Sequence, residues 1–229
     1  MKSFSKAIAA IILMTAAFFT TKTNNAQTYN GHEYVDLGLP SGTLWATCNM
    51  GANSPEEYGD YFAWGETQPK TTYDWSTYRY ANGSYDELTK YCSSFELGHN
   101  GFTDNLTVLQ PSDDVATVNW SSGWCIPTKE QWEELYNNTD HTWKAWNGVS
   151  GRLFSGKNGA VLFLPAAGRR WGDELDYDGL DGNYWSSSLY TGYPDSAWYF
   201  YFDSDDCYMY NGYRDRGRSV RAVRSARQN

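Results

Sequence analysis

The sequence predicts an α+β domain of many short antiparallel strands, long ordered loops and one or two helices. Three observations carry this. Residues 197–210 alternate with a two-residue period. A segment led by Pro127 and Thr128 has helical spacing, and short extended runs bounded by Gly, Pro, Asn and Ser recur elsewhere. In the alternating stretch Trp198, Phe200 and Phe202 fall on one face, and Cys207 and Met209 join them across a turn at residues 204–206. Tyr199, Tyr201, Asp203, Tyr208 and Tyr210 fall on the other. Successive strand side chains point to opposite faces, so this is a hairpin with an apolar underside and a tyrosine-coated top.

Taken in order, the chain begins with Lys2 and Lys6, an apolar run over residues 7–19, and small or polar residues up to Ala26. This reads as a secretory signal peptide over residues 1–26, with an apolar run too short to span a bilayer. No Cys follows the run, so a lipid anchor is not indicated. Residues 27–229 are read as one domain, long enough for a sizeable core. Residues 34–37 and 44–47 read as strands joined by a turn at Pro40-Ser41-Gly42. Residues 58–65 (YGDYFAWG) are aromatic and Gly-bounded, and residues 68–101 read as a long ordered loop. Asp113 and Asp114 open a short helix. The main helix follows Pro127: Thr128 caps it and Gln131 completes a capping box. Trp132, Leu135 and Tyr136 form its apolar stripe, with Glu130, Glu133 and Glu134 on the wet side, and Asn137-Asn138 ends it. Residues 152–159 read as turn-rich, 160–164 as a buried strand, 168–182 as a polar, Gly-rich loop, and 219–223 as a closing strand. The helix stripe must cover one sheet face, so Trp132, Phe200, Phe202 and Val220 are expected to be buried together.

Composition narrows the function. A net charge of −9 disfavours nucleic-acid binding, although six of the ten arginines lie between Arg214 and Arg227 and make the C-terminus locally basic. Eleven Trp and 19 Tyr are far above an ordinary share; they fill the core of a loop-rich domain, line a binding face, or do both, and Tyr offers rigid contact area plus one hydroxyl at little entropic cost. Cys48, Cys92, Cys125 and Cys207 have no metal-type spacing; export permits disulfides, with three full pairings open, and free, buried thiols are the equal alternative.

Six blocks then stand in one order: VDLGLPSGTLWATCNMGA, YGDYFAWGET, WCIPTKEQWEEL, LPAAGRR, YWSSS and GRSVRAVR. Together they resemble the fibrobacter-type major paralogous domain family of exported bacterial proteins, over nearly all of the mature chain. The resemblance implies a C-type-lectin-like fold akin to the formylglycine-generating superfamily. A proline-threonine-capped helix with an inward Trp132 would pack beside a twisted antiparallel sheet, which residues 219–223 close beside the first strand. A narrower resemblance is to the variable proteins of diversity-generating retroelements, whose adenine-directed mutagenesis yields many residue types but never Lys, Glu, Gln, Met or Trp. No Lys, Glu or Gln occurs over residues 175–227 here. A Tyr/Asp/Ser-rich surface without that history has the same composition.

Catalysis is not expected. The superfamily's oxidases use paired C-terminal cysteines in a copper site, whereas Cys207 is the only cysteine after Cys125. Ser187 or Ser188 as nucleophile would need a base within reach, and His32, His99 and His141 sit in no evident motif. Asp203, Asp205 and Asp206 are carboxylates of the calcium-binding type, but three acids in a turn are more often a soluble hairpin tip. The expectation is therefore a secreted or cell-surface ligand-binding protein with no cofactor and no membrane insertion. Its ligand, protein or glycan, would meet Tyr190, Tyr193, Asp195, Tyr199, Tyr201, Asp203, Asp205, Asp206, Tyr208, Tyr210, Asn211, Tyr213, Asp215 and Arg216. The alternatives are a formylglycine-generating-type oxidase and a structural or adhesive surface module.

Overall fold

The computed structural model describes residues 27–226; the signal-peptide reading falls on residues 1–26, outside them. Strands β1 (Gln27–Tyr29), β2 (His32–Asp36) and β3 (Thr43–Ala46) open the chain. The turn before β3 needs Gly42, whose φ of +74° would strain a residue with a Cβ. A long loop-rich stretch follows, tied down by isolated bridges such as Phe62 to Arg218 and Tyr73 to Gly172. Asp114 caps α1 (Val115–Trp120), its Oδ1 accepting the Ala116 and Thr117 amides at 2.9 and 3.0 Å. α2 (Lys129–Asn138) starts on the expected capping box: the Gln131 amide donates to Thr128 Oγ1 at 3.3 Å, and the Thr128 amide to Gln131 Oε1 at 2.9 Å.

Strands β4 (Asp140–Trp146), β5 (Val149–Ser155) and β6 (Val161–Pro165) form a three-stranded antiparallel sheet. A five-stranded sheet is built from β7 (Ala167–Trp171), β8 (Glu174–Asp178), β9 (Gly182–Leu189), β10 (Ser196–Phe202) and β11 (Cys207–Tyr213), in the order β11-β10-β9-β7-β8. Last, β12 (Val223–Ser225) pairs with β3. The protein is mostly β-structure with few helices, an α+β arrangement. Among the described residues no helix is long and apolar enough to cross a membrane.

The five-stranded sheet is a wall between two hydrophobic cores. On its underside Trp132, Leu135, Phe154, Tyr184, Phe200 and Phe202 pack together, with the Trp132 and Phe200 rings stacked at 4.8 Å and 6°. The hairpin register is thus as the alternation predicts. Val220 is buried elsewhere, in the core on the upper side with Trp64, Tyr78, Tyr91, Trp185 and Tyr199. Neighbouring residues of one strand serve both cores: Tyr184 faces down and Trp185 up. The loop-rich stretch needs a core of its own, and the sheet's upper face supplies one wall of it.

Three local expectations are corrected. Residues 168–182 are not a loop but mostly the β7–β8 hairpin, whose polar strands carry little apolar alternation because their outer side is wet. Residues 152–155 belong to β5 rather than to a turn. The closing strand starts at Val223 and lies beside β3, not beside the first strand; Gly217, Arg218 and Ser219 instead make single bridges to Arg170, Phe62 and Tyr184. All four cysteines are free thiols, Cys92 and Cys207 buried.

Candidate functional site

The upper face of the β10–β11 hairpin is only partly a surface. Tyr199 is 6 % exposed, against 43 % for Tyr208 and 51 % for Tyr210. Two things cover Tyr199. Its ring packs edge-on to Trp185 at 6.1 Å, and the Arg218 guanidinium lies 3.9 Å from its centroid and 4.2 Å from that of Trp185. Tyr201 is half-buried, with its hydroxyl donating to Asp203 Oδ2 at 3.0 Å; burial and the neighbouring carboxylate push its pKa up. From there the rings run outward, Tyr201 to Tyr208 at 5.3 Å and Tyr208 to Tyr210 at 5.9 Å. Offset and edge contacts of this kind hold exposed rings in fixed orientations.

Asp203 has a local role. Its Oδ1 accepts the amides of Asp205 and Asp206 at 2.8 and 2.7 Å, so the carboxylate closes the hairpin turn and its pKa is held down by those amides. Asp205 and Asp206 are exposed beside it.

A second aromatic group adjoins this one. Trp171 on β7 is 54 % exposed, and the Arg216 guanidinium lies 4.5 Å from its ring and 5.8 Å from that of Tyr213. Tyr213 also meets Trp75 edge-on at 5.9 Å. Arg216 is fixed from below: its Nη1 donates to Asp215 Oδ2 at 2.9 Å, and Asp215 is wholly buried, its pKa pushed up to about 6 by desolvation. Further along β7 the Arg169 guanidinium lies over the exposed Tyr177 ring at 5.3 Å. Between the two groups sits Asp181, also pushed up to about 6 by burial, within electrostatic reach of Arg169, Asp203 and Arg218. The result is a belt of exposed rings with half-buried polar pairs between them.

The structure sorts the expected site residues. Tyr201, Asp203, Tyr208, Tyr210, Tyr213 and Arg216 lie along this belt, with Asp205 and Asp206 at the tip. Tyr199, Asp195 and Asp215 are buried and belong to the scaffold. Asp195 bonds its own neighbours, its Oδ1 accepting from the Ser196 hydroxyl at 2.9 Å and its carbonyl from the Arg214 amide at 3.0 Å. Asn211 pairs with Trp198 in the ladder and so shares the underside. Tyr190 meets Trp198 edge-on at 5.0 Å and Tyr193 at 6.1 Å, so these two lie at the other end of the hairpin. Sequence reasoning missed Trp171, Tyr177 and Arg169; the alternation of Arg169 and Trp171 in GRRW was the available signal.

Four arginines of the basic C-terminal stretch are not on the surface either. Arg214, Arg218, Arg221 and Arg224 are all at most 4 % exposed. Arg221 spans the turn after β3, donating to Asn49 Oδ1 at 2.9 Å and to the Thr47 carbonyl at 2.8 Å, and Arg224 lies 3.8 Å over the Tyr29 ring. These guanidiniums satisfy carbonyls and aromatic faces inside a loop-rich fold. The histidines have local partners too: His32 stacks on Trp120, His99 bonds Glu87, and His141 bonds Arg152.

Comparison with known proteins adds one finding. Residues 138–223 match the model of a domain of unknown function, DUF8237. That span holds β4 to β11 and the whole belt except Trp75. No curated protein and no solved structure matches the chain.

Proposed function

We propose that this protein binds a ligand through the aromatic belt on its five-stranded sheet, and that it acts by binding rather than by catalysis. The observation that carries the reading is the split among like residues. Tyr184, Trp185 and Tyr199 are buried at 6 % exposure or less, yet Trp171, Tyr208, Tyr210 and Tyr213 each keep more than 40 % of their surface in water. Large exposed rings grouped on one side of a fold mark an interaction surface, and Tyr, Trp and Arg are the residue types that anchor binding. The belt is pre-arranged by Asp203 under Tyr201 and by Asp215 under Arg216, which lowers the ordering cost on binding.

Two further parts of the reading rest on the sequence resemblance. The scaffold is lectin-like, and the protein is exported and works at or beyond the cell surface. The exposed side chains at Tyr208, Tyr210 and Tyr213 are positions where variation changes binding without touching the core, as a retroelement-diversified protein requires. Against oxidase chemistry, the Cys125 and Cys207 thiols are both pushed up to about 12 by burial, which keeps them protonated and poor as ligands or nucleophiles. The test is an array of glycans and proteins probed with residues 27–229. Saturable binding to one class, competed by excess free ligand, supports the reading; binding to nothing on a broad array counts against it. A near-copy of the gene segment for residues 189–218 beside a reverse-transcriptase gene would establish diversification, and its absence would leave a fixed binding protein.

A further inference from the structure

The edge of the five-stranded sheet at β11 is open. Tip and base fix which backbone groups face outward: the Asp203 amide donates to the Asp206 carbonyl at 3.0 Å, and the Arg214 amide to the Asp195 carbonyl at 3.0 Å. Bonded and non-bonded pairs alternate along an antiparallel ladder. The pairs Tyr201–Tyr208, Tyr199–Tyr210 and Ala197–Gly212 therefore exchange the ladder bonds, and the N–H and C=O of Cys207, Met209 and Asn211 point away from β10. No strand pairs with that side among the described residues.

Proteins blunt such edges with charge, proline, bulges or short strands. Every other edge here is blunted. β8 carries Glu174, Asp176 and Asp178 and a left-handed Tyr177; β4 carries Asp140 and Lys144; β6 ends in Pro165; β1 and β12 have 3 residues each. β11 reads CYMYNGY, seven residues with no charge, no proline and an unbroken register. Both sides of this edge also offer side-chain contacts. Above lie Tyr208 and Tyr210. Below, a groove of about 360 Å³ runs between α2 and the strand, lined by Lys129, Tyr136, Trp198 and Met209 among others. The Lys129 ammonium sits 4.9 Å over the Trp198 ring and 2.5 Å from Glu133, so its stem forms part of the wall.

We propose that the ligand is an extended segment of a partner protein that adds to β11 as a sixth strand. This rests on the reading of the belt as a binding surface and names the partner class. Strand addition gives affinity through main-chain bonds and specificity through alternate side chains. The segment residue opposite Met209 enters the groove, and those opposite Tyr208 and Tyr210 lie on the tyrosines. At the Cys207 end the exposed Asp205 and Asp206, on a chain of net charge −9, select a Lys or Arg.

The test is a random nonapeptide library displayed on phage and panned on residues 27–229. The expected binders carry apolar residues at alternate positions and a basic residue at one end. Synthetic copies methylated on alternate backbone amides should fall into two sets: one loses affinity at least tenfold, because those N–H groups face β11, and the other is unchanged. Asn211→Pro, which removes an outward N–H and no ladder bond, should weaken binding by the same factor; the methylation scan, made on the unaltered protein, decides the matter if that variant folds poorly. Binders without alternation, uniform methylation effects or no binders would overturn the proposal. Glycan binding lost in Tyr210→Ala and kept in Asn211→Pro would preserve the belt and refute the edge. A dimer that Asn211→Pro dissociates would assign the edge to a second copy of this chain and refute the peptide.

Discussion

Tyr199 and Tyr210 face each other across the ladder as a cross-strand pair, with ring centroids 5.9 Å apart, and should respond oppositely to truncation. Tyr199→Ala removes a buried ring, which costs about 3–5 kcal/mol in a core that relaxes only partly. It also strips one face from the buried Arg218 guanidinium, now left against Trp185 alone; a desolvated cation–ring contact is worth about 2 kcal/mol. Part of that overlaps the cavity cost, so about 4–5 kcal/mol in total is expected. For a domain of this size each kcal/mol moves Tm by about 2–4 °C, giving a fall of about 8–20 °C. Tyr210→Ala, half in water, should stay within about 0.5 kcal/mol, or about 2 °C. Calorimetry and urea unfolding followed by tryptophan fluorescence read both variants. Equal, small shifts would refute the assignment of Tyr199 to the upper core and of Arg218 to a ring sandwich.

Other outcomes follow from the same contacts. Asp215 has a folded pKa of about 6 against an ordinary 3.8, so the folded state binds its proton more tightly than the unfolded state does. The stability it adds is greatest below about pH 4 and is lost as pH rises to about 6, with a full span of about 3 kcal/mol. Asp181 behaves in the same sense. Asp215→Asn should therefore raise Tm at pH 7 relative to the parent protein, and the gap between the two should narrow as pH falls to 5; a gap that stays constant over that range would contradict it. Thr128→Ala removes the α2 cap and should cost about 1 kcal/mol by urea unfolding; a loss of less than about 0.3 kcal/mol would contradict the capping role.

What the sequence discloses and what it hides divide along physical lines. The α2 cap, the β10–β11 register and the burial of Phe200 and Phe202 are all local patterns: a capping box or a period of two is complete within a dozen residues. The fate of Tyr199 is not local. It is decided by Arg218, which follows a further loop, and by the loop-rich stretch whose core shares the sheet's upper face. Alternation can say that Tyr199, Tyr201, Tyr208 and Tyr210 share a face, but not that another layer covers one end of it. The arginines mislead for the same reason. Six cations near a terminus look like a basic surface, yet Arg218, Arg221 and Arg224 meet rings and carbonyls from residues 29–49, 185 and 199. The β7–β8 hairpin was masked by its glycines and acids, which are what a wet outer hairpin carries. Its Trp171 and Tyr177 extend the belt beyond the hairpin that the alternation singles out.

The claim that the belt binds is tested most directly by the double variant Tyr208→Ala/Tyr210→Ala. It would be measured beside the parent protein for Tm and for affinity to whichever array ligand binds residues 27–229. Both rings are exposed, Tyr208 meeting Tyr201 and Tyr210, and Tyr210 meeting Tyr199 only edge-on, so Tm should move by no more than about 2–4 °C. Affinity should drop by about tenfold or more, equivalent to at least about 1.4 kcal/mol. Unchanged affinity in a folded double variant would place binding elsewhere on the molecule and contradict the account.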